Sequence, residues 1–157
     1  MRVAAFLIAV IACSVTVWAQ DPTSTTSTAI AERARRSKAI VVGTVSRVDS
    51  MFTTSEFGDQ LIVTRVTLAI EETLKGTPDA TVTMTVEGGT VGGLTLKVSD
   101  IPALKTGDRA MVFLSGAFNT YTPTDRGHGI LALDAANEVR GMRLPLADLR
   151  RMVRAAR

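Results

Sequence analysis

Leu61-Ile62-Val63-Thr64-Arg65-Val66-Thr67-Leu68-Ala69-Ile70-Glu71-Glu72-Thr73 decides the fold. Ile62, Thr64, Val66, Leu68 and Ile70 recur every second residue, with Arg65, Thr67 and Glu71 between them. Period two places one set on each face of a β-strand and excludes an amphipathic helix. Upstream, from Ala39, Ile40, Val42, Thr44 and Ser46 alternate with Val41, Gly43, Val45 and Arg47. Val41, Val45 and Val48 predict a strand covered on much of both faces. Phe57-Gly58-Asp59 supplies a turn between the two, so they read as one long hairpin.

The same punctuation continues toward the C-terminus. Lys75-Gly76-Thr77-Pro78-Asp79 is a turn, and Val82, Met84 and Val86 alternate with Thr81, Thr83 and Thr85 in a third strand. Gly88-Gly89-Thr90-Val91-Gly92-Gly93 interrupts, and Leu94, Leu96 and Val98 resume the alternation. Residues 109–114 are an apolar run that predicts a central strand. Residues 118–129 read as a polar loop. Residues 130–133 and 139–142 predict a last hairpin. Pro145 opens a terminal helix with Leu146, Leu149, Met152 and Val153 as its apolar stripe. A short helix is expected over residues 29–36, after a polar spacer over 20–28 read as a disordered tether. Short strands flanked by terminal helices indicate an all-β, mainly antiparallel barrel or sandwich. Val42, Val45, Val66, Leu68, Ile70, Val82, Met84, Val112 and Leu114 are its expected core.

The first nineteen residues have the form of a secretory signal peptide. Met1-Arg2 is basic, residues 3–17 are nearly all apolar, and Val17-Trp18-Ala19 offers small or short side chains at a cleavage site. A competing reading takes Val10-Ile11-Ala12-Cys13 as a lipobox. It would leave an apolar tether and only residues 3–9 as the apolar region. Export is therefore expected, to the periplasm or beyond the cell, with residues 20–157 as the mature chain. Cleavage removes the only Cys and the only Trp of the 157 residues, so no disulfide contributes to folding. It also removes one of 18 basic residues, leaving them nearly balanced by 15 acidic ones. That balance argues against a nucleic-acid partner.

Ile40-Val41-Val42-Gly43-Thr44-Val45, Glu72-Thr73-Leu74-Lys75-Gly76 and Leu104-Lys105-Thr106-Gly107-Asp108, running into Met111-Val112-Phe113-Leu114, form an ordered set. In order and spacing they resemble the OB-type barrel of the tissue inhibitor of metalloproteinases and netrin-like modules. The chain is more closely similar to a group of exported bacterial proteins. These carry Gly-Gly-x-x-Gly-Gly before a strand, then Pro, Gly-Asp/Glu and an apolar run, and Leu-Pro-Leu opening a C-terminal helix. Here those are residues 88–93, Pro102, Gly107-Asp108 and Leu144-Pro145-Leu146. The resemblance covers residues 37–149. It implies an OB-like small barrel with a short N-terminal and a C-terminal helix. Such proteins are often encoded beside matrixin-like metalloproteases, which implies an exported metalloprotease as the partner. The eukaryotic inhibitors chelate the protease zinc through an N-terminal cysteine. The mature chain has none, so that mechanism does not carry over.

Several motifs admit both a functional and a plainer structural role. Gly88 to Gly93 falls short of a phosphate loop, with Leu94 where the lysine belongs and strand pattern on both sides. A bent hairpin or bulge is the plainer reading, and partner contact the functional one. His128 is the only histidine, and with Asp125 alone it makes no zinc site. Glu71-Glu72 should point to opposite faces. Ser115 lacks the glycines of a nucleophile elbow. Arg150, Arg151, Arg154 and Arg157 form a basic stripe, suited to an anionic membrane surface, to an acidic partner or to the helix dipole. Phe52, Phe57, Phe118 and Tyr121 sit in or beside loops and can form a binding rim. No cofactor, metal or catalytic residue is expected. The expected function is non-enzymatic protein binding through Phe52, Phe57, Gly88, Gly89, Thr90, Val91, Gly92, Gly93, Phe118 and Tyr121. A small-molecule or glycan site in the barrel mouth and a structural envelope role are the alternatives.

Overall fold

The computed structural model describes residues 22–116 and 120–156. The leader expected over 1–19 lies outside them. Helix α1 (Pro22–Arg36) is followed by strands β1 (Ala39–Thr54), β2 (Gln60–Lys75), β3 (Thr81–Glu87), β4 (Gly89–Val91), β5 (Leu94–Leu96), β6 (Arg109–Ser115), β7 (Thr122–Pro123) and β8 (Ile130–Leu133), and by helix α2 (Leu146–Ala155). The main sheet runs β3-β2-β1-β6-β7, with β8 also paired to β6, and β4–β5 form a separate ribbon. All these strand pairs are antiparallel. The two ends of the main sheet approach each other. Met84 of β3 bridges Tyr121 in parallel, and Thr85 N–H donates to the Tyr121 carbonyl at 3.1 Å.

The expected long hairpin is present, and β6 takes the central position its apolar run predicted. Three extra residues shape the hairpin, one of them Leu74 on β2, where register passes from Ile40↔Lys75 to Val41↔Thr73. Register passes from Val42↔Glu72 to Gly43↔Ile70, leaving Glu71 as a bulge on β2; it passes from Val45↔Leu68 to Arg47↔Thr67, leaving Ser46 as a bulge on β1. An inserted residue swaps which side chains face which way. Val41 and Val45 therefore face the same side as Val48 and Ser50 beyond the bulge. Ile62, Thr64, Val66 and Leu68 face that side too, whereas Glu72 turns to the other.

The sheet thus has an inner face and an outer face, each with its own core. The inner core is strand against strand: Val41, Val45, Val66, Leu68, Met84 and Val112 are its centre. The outer core joins Ile40, Val42, Met111, Phe113 and Leu133 to Ile30 of α1 and Leu149 and Val153 of α2. Every expected core residue is buried except Ile70, which is half-buried against the inner core. Val42 lies in the outer core rather than the inner one.

Helix α1 corrects the boundary expected at its start. It begins at Pro22, so residues 22–28 belong to the helix and not to a disordered spacer. Proline suits a first helical turn, where its missing N–H would have had no partner. Ile30 and Ala34 anchor the helix, and Lys75 Nζ donates to the Ala34 and Arg35 carbonyls at 2.7 and 3.0 Å. The ammonium satisfies acceptors that the helix end leaves free. Pro145 stands at the N-cap of α2 in an extended conformation, one residue before the first-turn position expected for it. The last hairpin is smaller than expected: β8 meets the chain after it at an isolated Leu133–Val139 bridge, with Arg140 N–H donating to Ala132 at 2.8 Å.

Candidate functional site

Burial along β1 and β2 falls away toward their shared turn, so the distal half of the hairpin projects from the body. Its tip is tight. Ser55 N–H donates to the Asp59 carbonyl at 2.8 Å, and Ser55 Oγ accepts from the Phe57 and Asp59 amides at 3.2 and 3.1 Å. The turn leaves Phe57 84% exposed.

The Gly88–Gly93 motif forms the β4–β5 ribbon and its attachment to this hairpin. Gly92 and Gly93 have φ of 57° and 83°, as the mirror-image two-residue turn of a β-hairpin requires. At the other end Gly88 N–H donates to Ile62 at 2.8 Å, and Thr64 Oγ1 donates to the Gly88 carbonyl at 2.6 Å. Ser50 Oγ lies 2.8 Å from Thr64 Oγ1. Gly89 adopts φ 132°, and a Cβ there would collide with the Ser50 and Thr64 hydroxyls. The plainer reading of the motif, a hairpin, therefore describes its backbone. Thr90 remains exposed and Val91 half-exposed on the ribbon, with Thr90 Oγ1 2.9 Å from Thr95 Oγ1.

The structure thus brings Phe52, Phe57 and residues 88–93 to one end of the molecule. Tyr121 is instead half-buried against the inner core, where its backbone joins β3 to β7. Phe118 lies outside the described residues. Three exposed apolar residues at the same end escaped the sequence reading: Leu61, Leu94 and Leu96. In the sequence, Leu94 and Leu96 fit ordinary strand alternation. A three-residue strand between glycine pairs has too little partner surface to cover them, and Leu96 stands opposite Gly89, which offers no side chain.

Two cavities flank residues 97–104, which lack regular secondary structure. One, of about 470 Å³, opens from the inner core between Val48, Val66, Val86 and Leu104, with the ribbon as its rim. The other, of about 640 Å³, lies between α1, β8 and the 3-10 turn Arg126–Gly129, and includes His128. Ile101 and Pro102 border both.

The polar groups that sequence reasoning singled out are engaged elsewhere. Asp125 accepts from Arg33 at 3.3 Å and Arg36 at 2.6 Å. Ser115 Oγ lies 2.7 Å from Thr124 Oγ1, which lies 3.0 Å from Ser37 Oγ. Glu71 and Glu72 part company at the bulge. Glu71 takes a two-pronged contact from Arg109, with the closest approach 2.5 Å, and a hydrogen bond from Thr44 at 2.6 Å. Arg109 also contacts Asn137. Arg109 and Thr44 together hold the Glu71 carboxyl below the usual carboxylate range, and Glu71 raises the Arg109 guanidinium. Arg140, 2.6 Å away, likewise lowers Asp108 and is itself raised. Glu72 receives Arg150 at 2.7 Å and Arg154 at 3.6 Å, while Arg151 pairs with Asp148. These pairs neutralise much of the expected basic stripe; Arg157 lies outside the described residues.

Among the described residues no three His, Cys, Asp or Glu side chains converge as a metal site. No helix among them is long and apolar enough to cross a membrane. No protein-family model matches this chain, and no curated protein matches it in sequence.

Proposed function

We propose that this chain is an exported, non-enzymatic protein-binding module built on an OB-like barrel. Its partner is an exported metalloprotease, as the resemblance of residues 37–149 implies. The barrel reading is supported by the Met84–Tyr121 bridge, which draws the two ends of the main sheet together. One observation carries the binding role. Among the described residues, every exposed large apolar side chain except Met142 stands on the β1–β2 tip or the β4–β5 ribbon. These are Phe52, Phe57, Leu61, Leu94 and Leu96. Single exposed apolar residues are ordinary, but a concentration of them at one end marks a contact surface. Large side chains on two hairpins suit insertion into a cleft, with Phe57 as the anchor. A chain without an N-terminal cysteine would restrain a protease by covering that cleft.

The test is capture from the source cell's envelope and secreted fractions. The baits are the mature chain and its Phe57→Ser/Leu94→Ser variant, whose changed side chains are already exposed. Retention of a metalloprotease by the unmodified chain alone supports the proposal. No retained protease, or equal retention by both baits, sinks it.

A further inference from the structure

We propose that the 470 Å³ cavity between the β4–β5 ribbon and residues 97–104 binds a fatty carboxylate, with its chain inward and its carboxylate at Lys97. The volume is within the range of small-ligand sites, about 300–1,000 Å³. Val48, Val66, Val86 and Leu104 line its depth and continue the inner core, so an entering alkyl chain displaces water from apolar surface.

The polar atoms of the wall orient the ligand. Thr64 spends its hydroxyl hydrogen on the Gly88 carbonyl, so Ser50 must donate to Thr64. Neither hydroxyl retains a hydrogen for a ligand, and a carboxylate placed beside them would meet lone pairs. At the rim Glu87 is paired with Arg126 at 2.7 Å. Lys97, exposed on the same rim, makes no ion pair or hydrogen bond among the described residues. An apolar interior, the acceptor-only hydroxyls of Ser50 and Thr64, and one free ammonium at the rim together select an amphiphilic anion. The larger cavity lacks this pattern. Its Arg33, Arg140 and Asp100 are committed to Asp125, Asp108 and Arg126.

Residues 97–104, which lie outside the main sheet, form one wall of the site. Ile101 N–H donates to Val98 at 3.3 Å, and Asp100 lies 3.6 Å from Arg126. Entry therefore needs no strand of the main sheet to part.

The experiment is methyl NMR of the mature chain titrated separately with decanoate and decylammonium below their aggregation concentrations. Decanoate is expected to shift the methyls of Val48, Val66, Val86 and Leu104. Lys97→Gln, a surface change, is expected to weaken decanoate by roughly two- to fivefold, the range of an exposed ion pair, and to leave decylammonium unweakened. Three outcomes overturn the proposal: no shifts, shifts centred on Ile30 and Leu144 in the other cavity, or equal affinity for both amphiphiles with no effect of Lys97→Gln. The Phe57→Ser/Leu94→Ser variant is expected to keep decanoate binding, so loss of the protein partner and loss of the ligand site are separately visible.

Discussion

The inner face of the sheet packs strands against strands, whereas the outer face packs against two helices from opposite ends of the chain. β1 and β6 contribute alternate residues to both, Val41 and Val112 inward, Ile40 and Phe113 outward. The inner core closes within residues 39–130, all on or between strands of one sheet. The outer core is complete only when Ile30, near one end, and Leu149 and Val153, near the other, have arrived. One sheet thus supports a core that the strands supply by themselves and another that depends on docked helices. The cavities follow this division, since the smaller continues the inner core and the larger continues the outer.

Truncating one fully buried leucine on each side gives the largest effect and tests that division. Leu68→Ala and Leu149→Ala are each expected to cost about 2–5 kcal/mol, measured as denaturation midpoints. Their hydrogen-exchange patterns should differ. Leu68→Ala should lower protection throughout the sheet. Leu149→Ala should lower it chiefly in α1 and α2, with β1–β2 retained. Uniform loss in both variants would show that the cores are one cooperative unit.

Next in size is Gly89→Ala. A side chain at φ 132° costs about 1–3 kcal/mol of backbone strain and also displaces the Ser50 and Thr64 hydroxyls. The ribbon should detach from the hairpin, visible as lost nuclear Overhauser contacts between Gly89 and Thr64, while the outer core keeps its protection. On the outer side Lys75→Met should cost about 0.3–1 kcal/mol, by removing a cation from the C-terminal carbonyls of α1. Circular dichroism during thermal melting should show the helical signal lost earlier than in the unmodified chain.

The inner core was legible in the sequence because its strands alternate. Val66, Leu68, Val82 and Met84 each sit between residues of smaller or polar character, so their face can be assigned residue by residue. The outer core was legible on its helical side, in the α2 stripe Leu146, Leu149 and Val153, but not on β6. Met111-Val112-Phe113-Leu114 is apolar throughout, and an unbroken run carries no phase. Leu74 was hidden for another reason: register shifts at Glu71 and again beside Leu74 turn it to the outer core. Bulges depend on pairing between distant residues, which a single strand's pattern does not encode. The start of α1 was missed because residues 22–28 are polar and rich in β-branched threonine, a composition that favours neither an apolar stripe nor a helix. At the candidate site, the motif of Gly88–Gly93 was legible as a hairpin, whereas the exposure of Leu94 and Leu96 depends on how short the ribbon is. Lys97 carries no motif at all; its interest arises only from the cavity it borders and from its having no ion-pair partner among the described residues.

The smallest expected effect is on pH dependence, and it acts where the two faces exchange. Glu71 is the bulge that turns Glu72 toward α2, and it is held by Arg109 of β6 and Thr44 of β1. Asp108, immediately before β6, is held by Arg140. Both carboxyls are lowered in the folded chain. A lowered folded value means the unfolded chain binds the proton more readily. The stabilisation is therefore complete above the ordinary carboxylate range and is lost as pH falls through that range toward the folded values. Each pair is partly exposed, so each contribution is small and weakens with salt. Urea midpoints should decline on acidification, and Glu71→Gln and Asp108→Asn should each flatten that decline at low salt. Glu71→Gln has a further consequence that Asp108→Asn lacks. With the bulge less firmly held, exchange should quicken at Leu74 and Lys75, the residues through which β2 reaches the outer core and α1. An unchanged exchange rate there would mean that the bulge is set by the packing of Leu74 and not by the Arg109 pair.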